Sequence, residues 1–372
     1  MRRTTDRHPL RGGASAALLA LASLALAACS SKERGAAGTE SAAGAATARE
    51  AGTHAGGRLV YVSNEDSDDI SIIDARSDSV VATIFVGKRP RGIKVGPDGR
   101  HLFVAVSGSP KAPPGMDESK LPPPDKSADG IAIIDLATRK LQRVLPGGSD
   151  PESFAITHDG KRVFVSNEDA GTASVLDVAS GRIIHSVKVG GEPEGVTITP
   201  DGRQVYVTSE EGHSVAVIDT DSVKVVATVE VGLRPRSIAF TPDGARAYVS
   251  NEQGGTVTVI DTKTHRPAGT IKIPGEAPKP MGLAISPDGK RLYVTTGRGG
   301  TVATVDVATN QVVGAPIPVG TRPWGVGVTP DGKKLYTANG PSGDVSVVDV
   351  ASGRVVKRIP VGKAPWGIAI GG

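Results

Sequence analysis

The stretch RPRSIAFTPDGARAYVSNEQGGTVTVIDTKTHRPAGTIKI occupies residues 234–273. It holds four short apolar runs, RPRSIAF, RAYVSN, TVTVID and RPAGTIKI, separated by turn chemistry. The runs are rich in Val, Ile, Thr and Tyr, which suit a pleated, half-buried surface. Between the first two stands Pro-Asp-Gly. There proline presets φ, aspartate bonds its own backbone, and glycine takes the positive φ. This one stretch predicts four antiparallel strands.

The pattern recurs along the chain. An aspartate ends the third run at Asp74, Asp135, Asp177, Asp219, Asp261, Asp306 and Asp349, at spacings of 61, 42, 42, 42, 45 and 43. Gly-containing turns precede the second run at 96–100, 157–161, 199–203, 241–245, 286–290 and 329–333. Four strands in each unit of this length specify a β-propeller blade. Lettering the strands A to D from the axis outward, the chain enters on strand B (LVYVSN, from 59) and leaves on strand A (PWGIAI, 365–370). The expected fold is all-β: a seven-bladed propeller of four-stranded blades. Its N-terminal strands B, C and D are closed by the C-terminal strand A, which removes a sheet edge.

The strings YVSN (61–64), FVSN (164–167), YVTS (206–209) and YVSN (248–251) resemble the YVTN-type β-propeller repeat. The resemblance covers about residues 58–372. DPESFAITHDGKRVFVSNED (150–169) and SVVDVASGRVVKRIPVGKAPWGIAI (346–370) look like the propellers associated with pyrroloquinoline-quinone (PQQ)-dependent catabolism. That likeness implies an accessory role in periplasmic quinoprotein oxidation. Related propellers include surface-layer proteins and lactonases, the latter implying hydrolysis and a Ca²⁺ ion at a Glu/Asn cluster.

The chain carries a formal charge of +4, but Arg2, Arg3, Arg7 and Arg11 against Asp6 supply most of it. Without residues 1–28 it holds 39 basic and 38 acidic residues, a balance that gives no support to a nucleic-acid partner. Basic residues at 2–11 precede the apolar run Ala14–Ala28, which reads as a signal peptide over 1–28. LAAC at 26–29 resembles the bacterial lipobox and implies cleavage before Cys29 and lipid on its sulfur. Ser30 resembles the outer-membrane sorting rule for a diderm source. Residues 29–57 lack large apolar residues and read as the lipidated cysteine and a flexible linker. The propeller domain is expected over 58–372, tethered outside the cytoplasm to the cell envelope.

Topology places the D–A and B–C loops on one face. The residue after each D–A proline begins strand A beside the channel: Arg91, Glu152, Glu194, Arg236, Met281, Trp324 and Trp366. The B–C loops add Glu65, Glu168, Glu210 and Glu252 to the same mouth. Arginine holds carboxylate or phosphate bidentately, and tryptophan offers a flat apolar surface. Two readings stand for the charges: a ligand site, or a network tying adjacent blades. The insertion at 107–130, rich in proline, interrupts a B–C loop on this mouth. It reads as a cap, a docking arm or a tolerated surface loop.

No His pair has metal-ligand spacing, and C-x-x-C-H, G-x-S-x-G and Walker sequences are absent. No catalytic or metal residue is assigned, and no cofactor is expected beyond the Ca²⁺ that the lactonase likeness implies. The expectation is a non-catalytic scaffold that binds a small anionic ligand or an envelope protein. Lactonase-like hydrolysis and a surface-layer or adhesion role are the alternatives.

Overall fold

A computed structural model describes residues 58–111 and 120–371. The signal peptide, Cys29, the linker and the middle of the insertion lie outside these residues. Seven antiparallel sheets follow one another around a ring, each with strands in the order A, B, C, D. The repeat forces this arrangement: a four-stranded sheet cannot bury both faces alone, so it packs against its neighbours. Each apolar cluster accordingly draws on two blades. One joins Tyr61, Ile70 and Ile72 to Leu102, Val104 and Ile134. Another joins Ala155, Phe164 and Val175 to Val196, Val205 and Val207.

Blade 1 is completed by the last strand, as the sequence predicts. Pro365–Gly371 lies antiparallel to Leu59–Asn64, with Val60 opposite Ile370. The sixth blade departs from the pattern at its outer strand. Gln311–Val312 and Ile317–Pro318 pair separately with Thr301–Asp306. Between them Gly314 takes φ 71°, and Pro316 has no N–H to donate, so the ladder is interrupted.

The turn aspartates build turns. Asp243 accepts from Thr241 Oγ1 at 2.6 Å and from the Ala245 N–H at 3.0 Å, while Gly244 takes φ 69°. Asp261 caps the C–D turn, accepting from the Thr264 N–H and Oγ1, both at 2.8 Å.

Three of the four letters of YVSN do separate jobs. The aromatic packs opposite a strand-A residue that is small in six blades: Tyr61 faces Ala369, Phe164 faces Ala155, Tyr248 faces Ala239, and Tyr336 faces Gly327. The Asn side chain reaches across to strand C, as from Asn64 to Ser71 Oγ at 3.0 Å and from Asn339 to Ser346 Oγ at 2.9 Å. The hydroxyl between them joins blades. Ser166 donates to Glu194 O of the next blade at 2.7 Å and accepts the Ser153 N–H of its own strand A at 3.1 Å. Ser63, Thr208, Ser250 and Thr295 donate in the same way to Arg91 O, Arg236 O, Met281 O and Trp324 O. Ala105 and Ala338 hold this position in the other two blades.

Strand A must approach its neighbour closely for these bonds to form. A Cβ on Gly92 would stand 2.8 Å from Glu152 O, and one on Gly367 would stand 2.7 Å from Arg91 O. Glycine is required at both by the neighbouring backbone.

Removing one hydroxyl tests the inter-blade role. Ser166→Ala leaves Glu194 O and the Ser153 N–H without their partner. The expected loss is about 1–3 kcal/mol of unfolding free energy in urea titration. A loss below about 0.5 kcal/mol, the ordinary range for surface changes, would show that the contact is incidental.

Candidate functional site

The D–A loops set the mouth. The residue before a D–A proline lies in the left-handed region: Arg89 (φ 43°), Asp150 (51°), Glu192 (45°), Arg234 (54°), Arg322 (50°) and Ala364 (50°), and in blade 6 Ala277 (49°) before Pro278, two residues ahead of the Pro280 that precedes Met281. Proline disfavours the right-handed helical region for the residue before it, and the left-handed one is sparsely populated. The resulting turn aims a carbonyl at the B–C loop of the same blade. Glu65 N–H donates to Ala364 O at 3.0 Å, Glu168 N–H to Asp150 O at 3.1 Å, Glu210 N–H to Glu192 O at 3.0 Å and Glu252 N–H to Arg234 O at 2.9 Å. The four acids are thus held at matching places around the mouth.

Their charges are answered mainly by arginines of adjacent blades. Arg91, 3 % exposed, contacts Asp150 and Glu152 and lies 3.8 Å from Glu168. Arg89 donates to Glu65 Oε1 from Nε at 3.2 Å and from Nη2 at 2.9 Å. Arg236 donates to Glu252 Oε2 at 2.8 Å and contacts Glu194 and Glu210. Arg234 lies 2.5 Å from Glu210 Oε2. Asp150, Glu152 and Glu168 bring ligand-type oxygens within 4.8 Å of one another, a spacing that would suit a cation. The Arg91 guanidinium already sits against them, so the cluster's positive partner is part of the protein.

Carboxylates outnumber guanidinium groups in the second network, where Glu194, Glu210 and Glu252 share Arg234 and Arg236. One acid is therefore left to hold its proton. Burial pushes Glu210 up to about 9, opposed by Arg234 and reinforced by Glu192, Glu168 and Glu252. At Glu252 burial also favours the neutral acid, but Arg236 and Arg234 outweigh it and hold the carboxyl low. Burial likewise raises Glu168, against the pull of Arg91. At Glu65, burial is overcome by Arg89 and Lys111.

The described ends of the insertion lie over the same side. Lys111 Nζ donates to Glu65 Oε2 at 2.6 Å, and Lys126 Nζ donates to Ser149 Oγ at 2.9 Å and contacts Asp169. They reach blades 1 and 3 from either end of the loop.

Across the mouth the surface changes character. The Trp324 and Trp366 rings lie 5.8 Å apart at 31°. Arg322 stands over Trp324 at 4.9 Å, and Arg236 approaches the same ring at 5.8 Å. Among the described residues neither Arg322 nor Arg298 has an ion pair. Burial lowers Arg322, with the charges of Arg298 and Arg236 adding to the effect against Glu252. Below the rings an axial cavity of about 200 Å³ is lined by Glu194, Arg236, Met281, Trp324 and Trp366 together with strand-A residues beneath them.

Five of the seven residues expected beside the channel therefore line it. Arg91 and Glu152 turn into their ion pair instead. Glu65, Glu168, Glu210 and Glu252 reach the mouth but are bound within the two networks. Asp150 and Lys94 were not singled out by sequence. The first hides as a turn residue before a proline. The second shows only when the strands are aligned by register.

A family model described as a YNCE-like beta-propeller matches residues 126–245. The repeat is of the YVTN type, in a seven-bladed ring. Antigen Lp49 of Leptospira interrogans is 28% identical over 29% of this chain, and the match spans 30% of that protein's length. A candidate 6-phosphogluconolactonase of Bacteroides fragilis superposes with a TM-score of 0.69 at 19% identity, over 86% of this chain and 99% of that one. Hydrazine synthase of Kuenenia stuttgartiensis gives 0.63 at 23% identity, over 75% and 89%. These likenesses establish the fold.

The proton held by Glu210 has a measurable sign. Its folded value lies above the ordinary 4.5, so its contribution to stability is complete below pH 4.5 and is lost as pH rises towards 9. Glu210→Gln should flatten the fall in stability over that window and so raise the melting temperature at pH 7 relative to wild type. Glu252→Gln should cost about 1–3 kcal/mol at pH 7, because it strips a charged partner from Arg236. Equal losses for the two variants at pH 7 would refute the assignment of the proton.

Proposed function

We propose that this protein is a membrane-tethered, extracytoplasmic propeller that binds a small anionic molecule at the D–A/B–C mouth. The observation that carries this is the division of the mouth. On blades 1 to 5 arginines and acids are spent on one another. Beside the Trp324–Trp366 pair, Arg322 and Arg298 form no ion pair among the described residues, and Glu252 acts on Arg322 only from a distance. A flat aromatic surface beside unpaired guanidinium groups is suited to an anion with an apolar body.

Binding rather than catalysis is favoured by the state of the acids. Hydrolysis of a lactone would call on a general base or a metal held by free carboxylates. The clustered carboxylates here are already engaged by Arg91, Arg234 and Arg236. The tether is proposed from LAAC at 26–29, with lipid on Cys29.

Thermal unfolding with a panel of benzoate, inorganic phosphate, glucose 6-phosphate and uncharged glucose tests the binding site. A ligand at about 100 times its Kd stabilises by about 2.7 kcal/mol. At least one anion should stabilise the wild type, and Arg322→Gln with Trp324→Ala should abolish that shift. Stabilisation undiminished in the double variant would place binding elsewhere and sink the proposal. Turnover of a lactone by the purified protein, with or without Ca²⁺, would favour the hydrolase. For the tether, Cys29→Ala should move the protein from the membrane pellet to the soluble fraction; an unchanged pellet would exclude a lipid anchor at that residue.

A further inference from the structure

Below the mouth, one layer of the axial channel breaks the symmetry of the ring. Three residues after the mouth residue, strand A holds Ala, Thr or Gly in six blades, each opposite the aromatic of strand B. In blade 2 the same position is Lys94, opposite Phe103. Its side chain lines the axial cavity with Ile238, Leu283, Trp324 and Trp366.

Among the described residues Lys94 has neither a hydrogen bond nor an ion pair. Glu194 and Arg236 are the other ionisable groups lining the cavity, and they contact each other. Burial alone lowers the ammonium to about 8, with no carboxylate opposing it. It therefore stays largely protonated at neutral pH. A largely buried charge without a counter-ion is costly, and an anion entering the cavity relieves that cost. A single ammonium matches a single negative charge. A doubly charged oxyanion would carry an unmatched charge past the tryptophans. Ile238, Leu283 and the two indole rings give the cavity an apolar side that suits a flat hydrocarbon body.

We infer that the axial channel is a subsite for small aryl monocarboxylates, with the carboxylate on Lys94 Nζ and the ring system against Trp324 and Trp366. This rests on the reading of the mouth as an anion site and adds the ligand class and the group that takes its charge.

The chain has two tryptophans, both in the cavity wall, so its tryptophan emission reads this site directly. Titration with naphthoate should quench the wild type saturably. Lys94→Ala should weaken naphthoate by about tenfold or more, as expected for loss of a charge-assisted hydrogen bond. Lys94→Arg should retain binding within about threefold, and neutral naphthamide should bind the wild type about tenfold more weakly than naphthoate. Wild-type affinity should also fall above about pH 8, as the ammonium titrates, and this dependence should vanish in Lys94→Ala. Alanine already stands at the equivalent place in Ala155 and Ala239, so the variant should fold, which its melting temperature verifies. Undiminished naphthoate binding in Lys94→Ala overturns the inference. If Arg322→Gln then loses binding, the mouth site survives without the channel. Absence of quenching in the wild type overturns the channel subsite too, while the anion panel in thermal unfolding tests the mouth separately.

Discussion

One hydroxyl in each of five blades carries much of the ring. Ser63, Ser166, Thr208, Ser250 and Thr295 each accept an N–H from strand A of their own blade and donate to a strand-A carbonyl of the next. Both partners are main-chain groups near the axis, where strands crowd and water has little room. An unmade bond there would leave a buried carbonyl exposed to the full desolvation penalty. A Cβ on Gly195, Gly282 or Gly367 would press on the very carbonyl the hydroxyl uses, Arg236 O, Trp324 O or Arg91 O, whereas Ser153 and Ser237 hold this place in blades 3 and 5. Closure of blade 1 by the last strand then locks a ring whose parts have no stable existence singly.

This rigid inner ring lets the mouth be uneven without loosening the fold. Six of the seven D–A loops share one strained turn directly before the mouth residue, so each presents the side chains flanking its proline in the same way. In blades 2 to 5 those positions hold arginines and acids that neutralise each other between blades. In blades 6, 7 and 1 they hold Met281, Trp324 and Trp366. The asymmetry comes from side chains alone, which is how a repeated scaffold acquires a single site. Lys94 is the same device one layer down: a lone charge where the other blades place small residues.

The ion-pair networks also show why arginine near a channel is a weak sign of an anion site. Arg91 and Arg236 have the side chain expected of a carboxylate receptor, and both are occupied by the protein's own carboxylates. Arg322 differs by lying on the side where the B–C loops supply no acid. The distinction depends on which loop faces which, across blades far apart in the chain.

Strand number, blade order, closure and the location of the mouth were all legible in the sequence. They rest on local chemistry, such as Pro-Asp-Gly turns and period-two strands, repeated often enough to leave one architecture. The positions after the D–A prolines were legible for the same reason, though Arg91 and Glu152 turn from the channel into their ion pair. The tertiary structure decided which of those charges are spent and which remain. Arg91 meets Asp150 and Glu152 from the next blade, and Trp324 meets Trp366 of the neighbouring blade. Electrostatic partners and ring contacts depend on distances of a few ångströms between residues up to hundreds apart in sequence. No local pattern encodes those distances, and only the closed ring brings the residues together.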